Sequence, residues 1–283
     1  MKFVSFTRLG RAGFGAVVGG GIVDLTGRLS YDCLTLKQAI LDDLLEIAAD
    51  YAGDRKPELA FSDVTLLPVI PDPGKILCIG VNYVAHREET KRPEVGHPTV
   101  FIRFADSQIG HGQPMIKPSQ SDCLDFEAEL AVVIGRGGRD IAEEDAMQHI
   151  AGYSCYHDGS VRDWQRHSSQ FAPGKNFPAT GAFGPALVTT DEVEDYTQLS
   201  ITGRLNGQVV QQATLADLIF PIPALIAYLS AFTPLSAGDV IVTGTPGGVG
   251  ERREPPLFMK AGDVFEVDIP GVGLLVNPVI GAL

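Results

Sequence analysis

The run Asp125-Phe126-Glu127-Ala128-Glu129-Leu130-Ala131-Val132-Val133-Ile134 carries the pattern from which the rest of this 283-residue chain can be read. Side chains of an extended strand alternate between faces, so Phe126, Ala128, Leu130, Val132 and Ile134 point one way and Glu127 and Glu129 the other. At ~3.3 Å per residue the two glutamates stand roughly 7 Å apart along the backbone. Carboxylates so close repel unless positive charge lies between them. Oxygen-only donors favour a hard divalent ion, Mg²⁺ or Mn²⁺, over zinc. The plainer reading is an amphipathic strand with a solvated acidic face.

Residues further along bear on that choice. The strand-like run Ala151 to His157 ends at Asp158, and Ser160-Val161-Arg162-Asp163-Trp164-Gln165 opens like a helix with Ser160 at its N-cap. Asp158, Arg162 and Gln165 then fall on one stripe, a third carboxylate with an Arg and a Gln able to meet a ligand's oxygens. Alternatively Asp158 caps the helix and Arg162 pairs with Asp163 or a surface acid. Upstream, Tyr83 to Glu89 suits a helix in which His86 and Glu89 are neighbours one turn apart, a general-base arrangement if it is not simply a solvated histidine. The Thr90 to His97 run, with Pro93, Gly96 and Pro98 around it, reads as a loop able to act as a lid. Lys175 sits in Ala172-Pro173-Gly174-Lys175-Asn176-Phe177-Pro178, a setting that fixes the backbone and leaves the amine free. Thr243-Gly244-Thr245-Pro246-Gly247-Gly248-Val249-Gly250 follows a strand and lacks the Gly-Lys-Ser/Thr ending of a P-loop, which disfavours NTP binding.

Composition narrows the partners. With 22 Lys+Arg against 35 Asp+Glu the net charge is −13, and no basic run tracks a phosphate backbone. Nucleic acid is excluded as a partner. A small anionic substrate needs locally placed cations or a metal to offset the field. The four cysteines, Cys33, Cys78, Cys123 and Cys155, are widely spaced, as reduced thiols of a cytoplasmic protein are. No apolar stretch reaches signal-peptide or membrane-spanning length, so a soluble protein is expected.

Two parts are expected. Residues 1–70 read as a small α/β module, with β-like runs at Phe3 to Phe6, Gly15 to Val18 and Gly21 to Leu25 and one amphipathic helix from Leu36 to Tyr51. Gly10-Arg11-Ala12-Gly13-Phe14-Gly15 has neither a strand leading in nor a helix leading out, and reads as a turn rather than a dinucleotide site. After the stiff boundary Pro68 to Gly74, residues 71–283 are dominated by short strands, with a helix within Leu215 to Phe232. The fold class is α+β, mainly β.

Together these motifs resemble the fumarylacetoacetate hydrolase family. Asp125 to Leu130 matches its acid–aromatic–Glu–x–Glu–Leu pattern, and Asp158, Arg162 and Gln165 its strand-ending Asp with Arg and Gln beyond. Gly174-Lys175, Thr243 to Gly250, Gly80-Val81-Asn82-Tyr83 and His86 match the remaining motifs, from about Lys75 onward. His157-Asp158 and Pro255 to Asp263 look most like the branch containing the family's domain-2 proteins. The resemblance implies a mixed β-roll catalytic domain, a homodimer, and one Mg²⁺ or Mn²⁺ held by Glu127, Glu129 and Asp158. It further implies that His86 and Glu89 activate water, that Lys175 stabilises a developing enolate, and that Arg162, Gln165 and Thr245 position substrate. Members that cleave fumarylacetoacetate carry a further carboxylate seven residues before the lid histidine; here that residue is Ile79. The expected activity is therefore hydrolysis of a carbon–carbon bond in an acylpyruvate such as fumarylpyruvate or maleylpyruvate. The alternative is decarboxylation of an oxaloacetate-type acid, or keto–enol isomerisation, at the same site.

Overall fold

The computed structural model describes residues 1–282. Its larger sheet has 11 strands, nine of them in the order Gly21–Asp24, Arg11–Val18, Lys2–Arg8, Gly181–Thr189, Ile150–Asp158, Ala128–Ile134, Val240–Val242, Ile76–Gly80 and Thr99–Arg103. Thr65–Leu66 and Gln108–Ile109 pair at its side. A second sheet of five strands runs Gln208–Thr214, Ser200–Leu205, Val264–Ile269, Gly273–Gly281 and Met115–Lys117. The fold is α+β and mainly β, as the alternating apolar runs require.

Ala128–Ile134 lies in mid-sheet and is buried along its whole length. Leu130, Val132 and Ile134 face a core shared with Phe265, Val267 and Leu275 of the second sheet. Ala131 and Val133 face the opposite core, with Phe3, Phe14, Leu36 and Ile40. The strand therefore has no solvated face: Glu127 is 5% and Glu129 2% exposed. Burying a carboxylate without compensation is costly, so the plainer reading of this strand is overturned.

The sheet does not stop at residue 70. Lys2–Arg8 pairs antiparallel with Gly181–Thr189, and Phe3 and Phe14 share a core with Cys78 and Val242. The single helix expected from Leu36 to Tyr51 is instead two, Leu36–Leu41 and Leu45–Gly53. Asp43 adopts φ 55° between them, a left-handed conformation that a short polar residue tolerates and that ends a helix. The turn lets Ile40 and Ala48 reach the same core from different directions. Ser160 also departs from expectation. It belongs to a short strand, Ser160–Val161, paired with Leu124–Asp125, and Val161 is the N-cap of the single-turn helix Arg162–Gln165. The Ser160 hydroxyl donates to the Asp158 carbonyl at 2.9 Å instead of capping. Ile222–Phe232 begins after Pro221, with Pro223 in its first turn where no N–H partner is lost. Among the described residues no helix is long and apolar enough to cross a membrane.

Candidate active site

Register explains how three distant carboxylates meet. In the antiparallel pair, Ala128 lies opposite His157 and Glu129 opposite Tyr156, and the Asp158 N–H donates to the Glu127 carbonyl at 3.0 Å. Residues directly opposite each other share a face, so Glu127, Glu129 and Asp158 project to the same side at one end of the pair. An oxygen from each lies within 4.8 Å of the others. Their counter-charges come from three elements. Lys175, on the short helix Ala172–Lys175, reaches Glu127 Oε2 at 2.6 Å and also bonds Asp158 Oδ2. A Cβ at Gly174 would lie 2.4 Å from the Gln165 nitrogen, so only glycine lets this helix sit against Arg162–Gln165. Arg162 places Nη2 2.7 Å from Glu127 Oε1, Nε on Asp125 Oδ2 at 2.8 Å and Nη1 on Gln165 Oε1 at 3.0 Å. The Nη2 contact is a close ion pair without hydrogen-bond alignment. Arg162 thus pairs with Asp125 and Glu127 and not with Asp163.

Arg103 escaped the sequence reading, and Asp125 entered it only as the acid that opens the family pattern. Arg103, 2% exposed, donates Nη1 to Asp158 Oδ1 at 2.6 Å and Nη2 to Thr180 Oγ1 at 2.9 Å, backing the carboxylate from behind. An arginine within the apolar run Val100 to Phe104 was its one signal. Asp125 accepts from the Phe126 and Gly250 N–H groups at 2.8 and 2.7 Å on one oxygen, and from Arg162 and the Glu251 N–H on the other. It ties the Thr243 to Gly250 loop to the strand that carries the glutamates. Gly244, at φ 104°, aims its N–H at Glu129 Oε2 at 2.6 Å, a backbone conformation that favours glycine.

His86 and Glu89 meet as the helical spacing requires, on Val84–Glu89, with Nδ1 3.1 Å from Oε2. Glu89 also accepts the Gly248 N–H at 3.1 and 3.2 Å. An ionised carboxylate only accepts, so Nδ1 carries the proton and Nε2 is the free basic nitrogen. The buried Asn82 holds the start of this helix by donating to the Thr243 and Phe220 carbonyls at 2.8 and 3.0 Å. His86, Glu127, Glu129, Arg162, Gln165, Lys175 and Thr245 line one cavity, with Ile79, Phe101 and Phe171 as its apolar wall. Asp158 and Glu89 stand behind it, each bonded to a lining residue.

Residues 75–280 match the fumarylacetoacetate (FAA) hydrolase C-terminal family. The chain belongs to the fumarylacetoacetate hydrolase family. It is 42% identical over 269 residues to an oxaloacetate tautomerase of Xenopus laevis, covering 93% of this chain and 83% of that one. It is 40% identical to an oxaloacetate tautomerase of Homo sapiens, covering 93% and 85%. Both are named as mitochondrial proteins, and neither name supports the cytoplasmic location expected from the cysteine spacing. Among solved structures, the maleylpyruvate hydrolase of Sphingobium sp. SYK-6, in complex with manganese (II) ion and pyruvate, superposes with a TM-score of 0.84 at 28% identity over the whole of both chains.

Fumarylacetoacetate hydrolase family members bind a divalent metal, and the donor set here fits one: three buried carboxylates, all oxygen, with converging atoms. Glu129 shows the need most clearly. Burial, then the charges of Asp158 and Glu127, raise its pKa well above the ordinary carboxylate range. Burial raises the Glu127 pKa too, but Arg162 and Lys175 outweigh it and hold that carboxyl well below its usual value. Lys175 is lowered by burial and raised further by Asp158 and Glu127, so it stays charged. A group whose folded pKa is raised contributes stability below its unfolded pKa of about 4.3 and loses it as pH rises. Glu129 therefore destabilises the metal-free protein at neutral pH. Glu129→Gln is expected to raise the metal-free unfolding temperature at pH 8, by roughly 2–4 °C for each kcal/mol recovered, while Mg²⁺ binding by calorimetry is lost. A lower unfolding temperature would show that Glu129 is already compensated.

Thr245, expected to position substrate, lines the cavity, but its hydroxyl donates to the Ala128 carbonyl at 3.0 Å and accepts from Gln211 Nε2 at 2.8 Å. In this state it can only accept from a ligand. His157, beside Asp158, is fully buried; burial, then the Arg103 charge, pushes its pKa down to about 3. It packs on Phe265 at 4.3 Å between ring centroids, as a neutral core side chain.

Proposed function

We propose that this protein is a divalent-metal-dependent keto–enol tautomerase of oxaloacetate or a similar 2-oxo acid. The observation that carries this reading is His86, backed by Glu89, on the same cavity as Glu127 and Glu129 with Asp158 just behind them, in a chain 42% identical to an oxaloacetate tautomerase. Glu127, Glu129 and Asp158 would hold the cation, which when bound polarises the 2-oxo group and offsets negative charge growing on its oxygen. Lys175 supplies a second positive charge at that oxygen and can donate a proton to it. Ketonisation removes the proton of the C2 hydroxyl and adds one at C3. His86 Nε2 can carry that proton, since Glu89 stabilises the imidazolium while it is held. Arg162 and Gln165 offer donors to the substrate carboxylate.

A second reading has its own support. The Sphingobium relative is named a maleylpyruvate hydrolase, and the same basic nitrogen could activate water for acylpyruvate cleavage. The Mg²⁺-loaded protein should be given enolic oxaloacetate and, separately, maleylpyruvate. Ultraviolet loss of the enol is followed in the first case and pyruvate release in both. The tautomerase reading expects fast enol loss and slow pyruvate release. Pyruvate appearing from maleylpyruvate faster than enol is lost would install the hydrolase instead, and pyruvate from oxaloacetate keeping pace with enol loss would indicate decarboxylation. Stripping the metal with EDTA should abolish the reaction, and either Mg²⁺ or Mn²⁺ should restore it, with calorimetry showing one ion per chain.

A further inference from the structure

Above the acidic floor the cavity has a cationic mouth. The exposed Arg92, Arg166 and Arg252 line its open side, with the buried Arg162 beneath them at the floor, in a chain of net charge −13. Two of these guanidinium groups are accounted for. Arg162 is bound to Asp125 and Glu127, and Arg166 forms a two-point pair with Glu251. Arg92 and Arg252 have no carboxylate within ion-pair distance among the described residues, although the chain carries 35 acidic side chains. The nearby Arg87 and Arg253 are by contrast engaged, Arg87 with Glu94 and Arg253 with the Gly248 and Val210 carbonyls.

Arg92 is also held in place. Its guanidinium carbon lies 5.3 Å from the Phe171 ring centroid, and its backbone N–H donates to the Arg87 carbonyl at 3.1 Å. Phe171 meets Phe101 edge-on at 5.6 Å, and Lys175 Nζ lies 4.7 Å from the Phe101 centroid. One aromatic wall thus runs from the ammonium at the floor to the guanidinium at the mouth. Desolvation by its neighbours, and after it the charge of Arg166, lower the pKa of this exposed guanidinium, with Arg162 and Arg252 adding to the effect against the pull of Glu127. Glu251 also lines the cavity but is taken up by Arg166, so Arg92 and Arg252 stay without a carboxylate partner, and an anion placed between them relieves their repulsion.

We infer that Arg92 and Arg252 form the receptor for a second carboxylate, so that the site selects dicarboxylic 2-oxo acids over monocarboxylic ones. This rests on the tautomerase reading and names its substrate class. Arg92 lies three residues beyond the helix Val84–Glu89 that carries His86 and Glu89, and its N–H is tied to the Arg87 carbonyl of that helix. A distal carboxylate bound by Arg92 therefore draws the base toward the floor, coupling recognition of the second charge to positioning of the proton carrier.

The test compares enolic oxaloacetate with its 4-methyl ester, which keeps the enolisable C3 and loses the distal charge. Wild-type Mg²⁺-loaded protein is expected to favour the diacid by roughly 10-fold or more in kcat/KM. Arg92→Gln should collapse that ratio toward unity, Arg252→Gln should reduce it, and Arg92→Lys should restore part of it. A general loss of folding or metal lowers both substrates together and does not change the ratio. Equal use of the two compounds by the wild type, or an unchanged ratio in both Gln variants, overturns the receptor and leaves the tautomerase reading standing. If the wild type uses neither compound, that reading falls. Calorimetric binding of oxaloacetate then decides the receptor alone: weaker binding in Arg92→Gln supports it and equal binding overturns it.

Discussion

His86→Gln is expected to lower tautomerase turnover by about 10²–10⁴, with Glu89→Gln falling most of the way. Glutamine keeps the length and polarity of the side chain but carries no titrating nitrogen, so the proton shuttle is lost while the helix Val84–Glu89 keeps its shape. Glu89→Gln leaves the imidazole present and removes the carboxylate that fixes its tautomer through the 3.1 Å contact. Glu89 also accepts the Gly248 N–H, and the glutamine amide oxygen can still do so, so the Thr243 to Gly250 loop stays tied to the helix Val84–Glu89 and the variant isolates the lost charge. Decarboxylation of oxaloacetate separates these roles. It needs a sink for electrons and no base, so it should suffer much less from either change. Equal losses in tautomerisation and decarboxylation would show that the pair closes the site rather than carrying a proton.

What was legible in the sequence was local. Alternation along Asp125 to Ile134 located the central strand, and the one-turn spacing of His86 and Glu89 placed them side by side. The carboxylate trio was legible because two members share a strand face and the third ends the neighbouring strand. Burial was not legible. Whether the glutamate face met solvent depended on Gly181–Thr189, Lys2–Arg8 and the N-terminal helices, elements that periodicity cannot assign to one sheet. Arg103 was hidden for a related reason, since its partner Asp158 lies 55 positions away and pairing at that separation leaves no local pattern. The helix break at Asp43 and the strand at Ser160 are cases of tertiary pairing overriding a good local signal. The exposed arginines around the cavity likewise bring together residues 92, 166 and 252, each unremarkable in its own segment.

Lys175→Met should reduce turnover by roughly 10²-fold or more with saturating Mg²⁺, and should also destabilise the metal-free protein. Both effects have one origin. Lys175 is 1% exposed and its ammonium contacts Glu127 and Asp158, so it is part of the charge balance of the folded state before any ligand enters. Removing one partner of a buried ion pair leaves uncompensated charge at about 3–5 kcal/mol, here moderated by Arg162 and Arg103 on the far sides of the same carboxylates. A divalent ion bound by the trio replaces the missing charge. The unfolding temperature of Lys175→Met should therefore lie below wild type without metal, and the gap should narrow as Mg²⁺ is added. Turnover should not recover in parallel, because the cation at the carboxylates does not replace a proton-donating charge at the substrate oxygen. These two measurements, taken on the same variant, separate a structural lysine from a catalytic one. Recovery of both stability and turnover at high Mg²⁺ would make Lys175 a stand-in for the metal's charge and remove it from the chemistry.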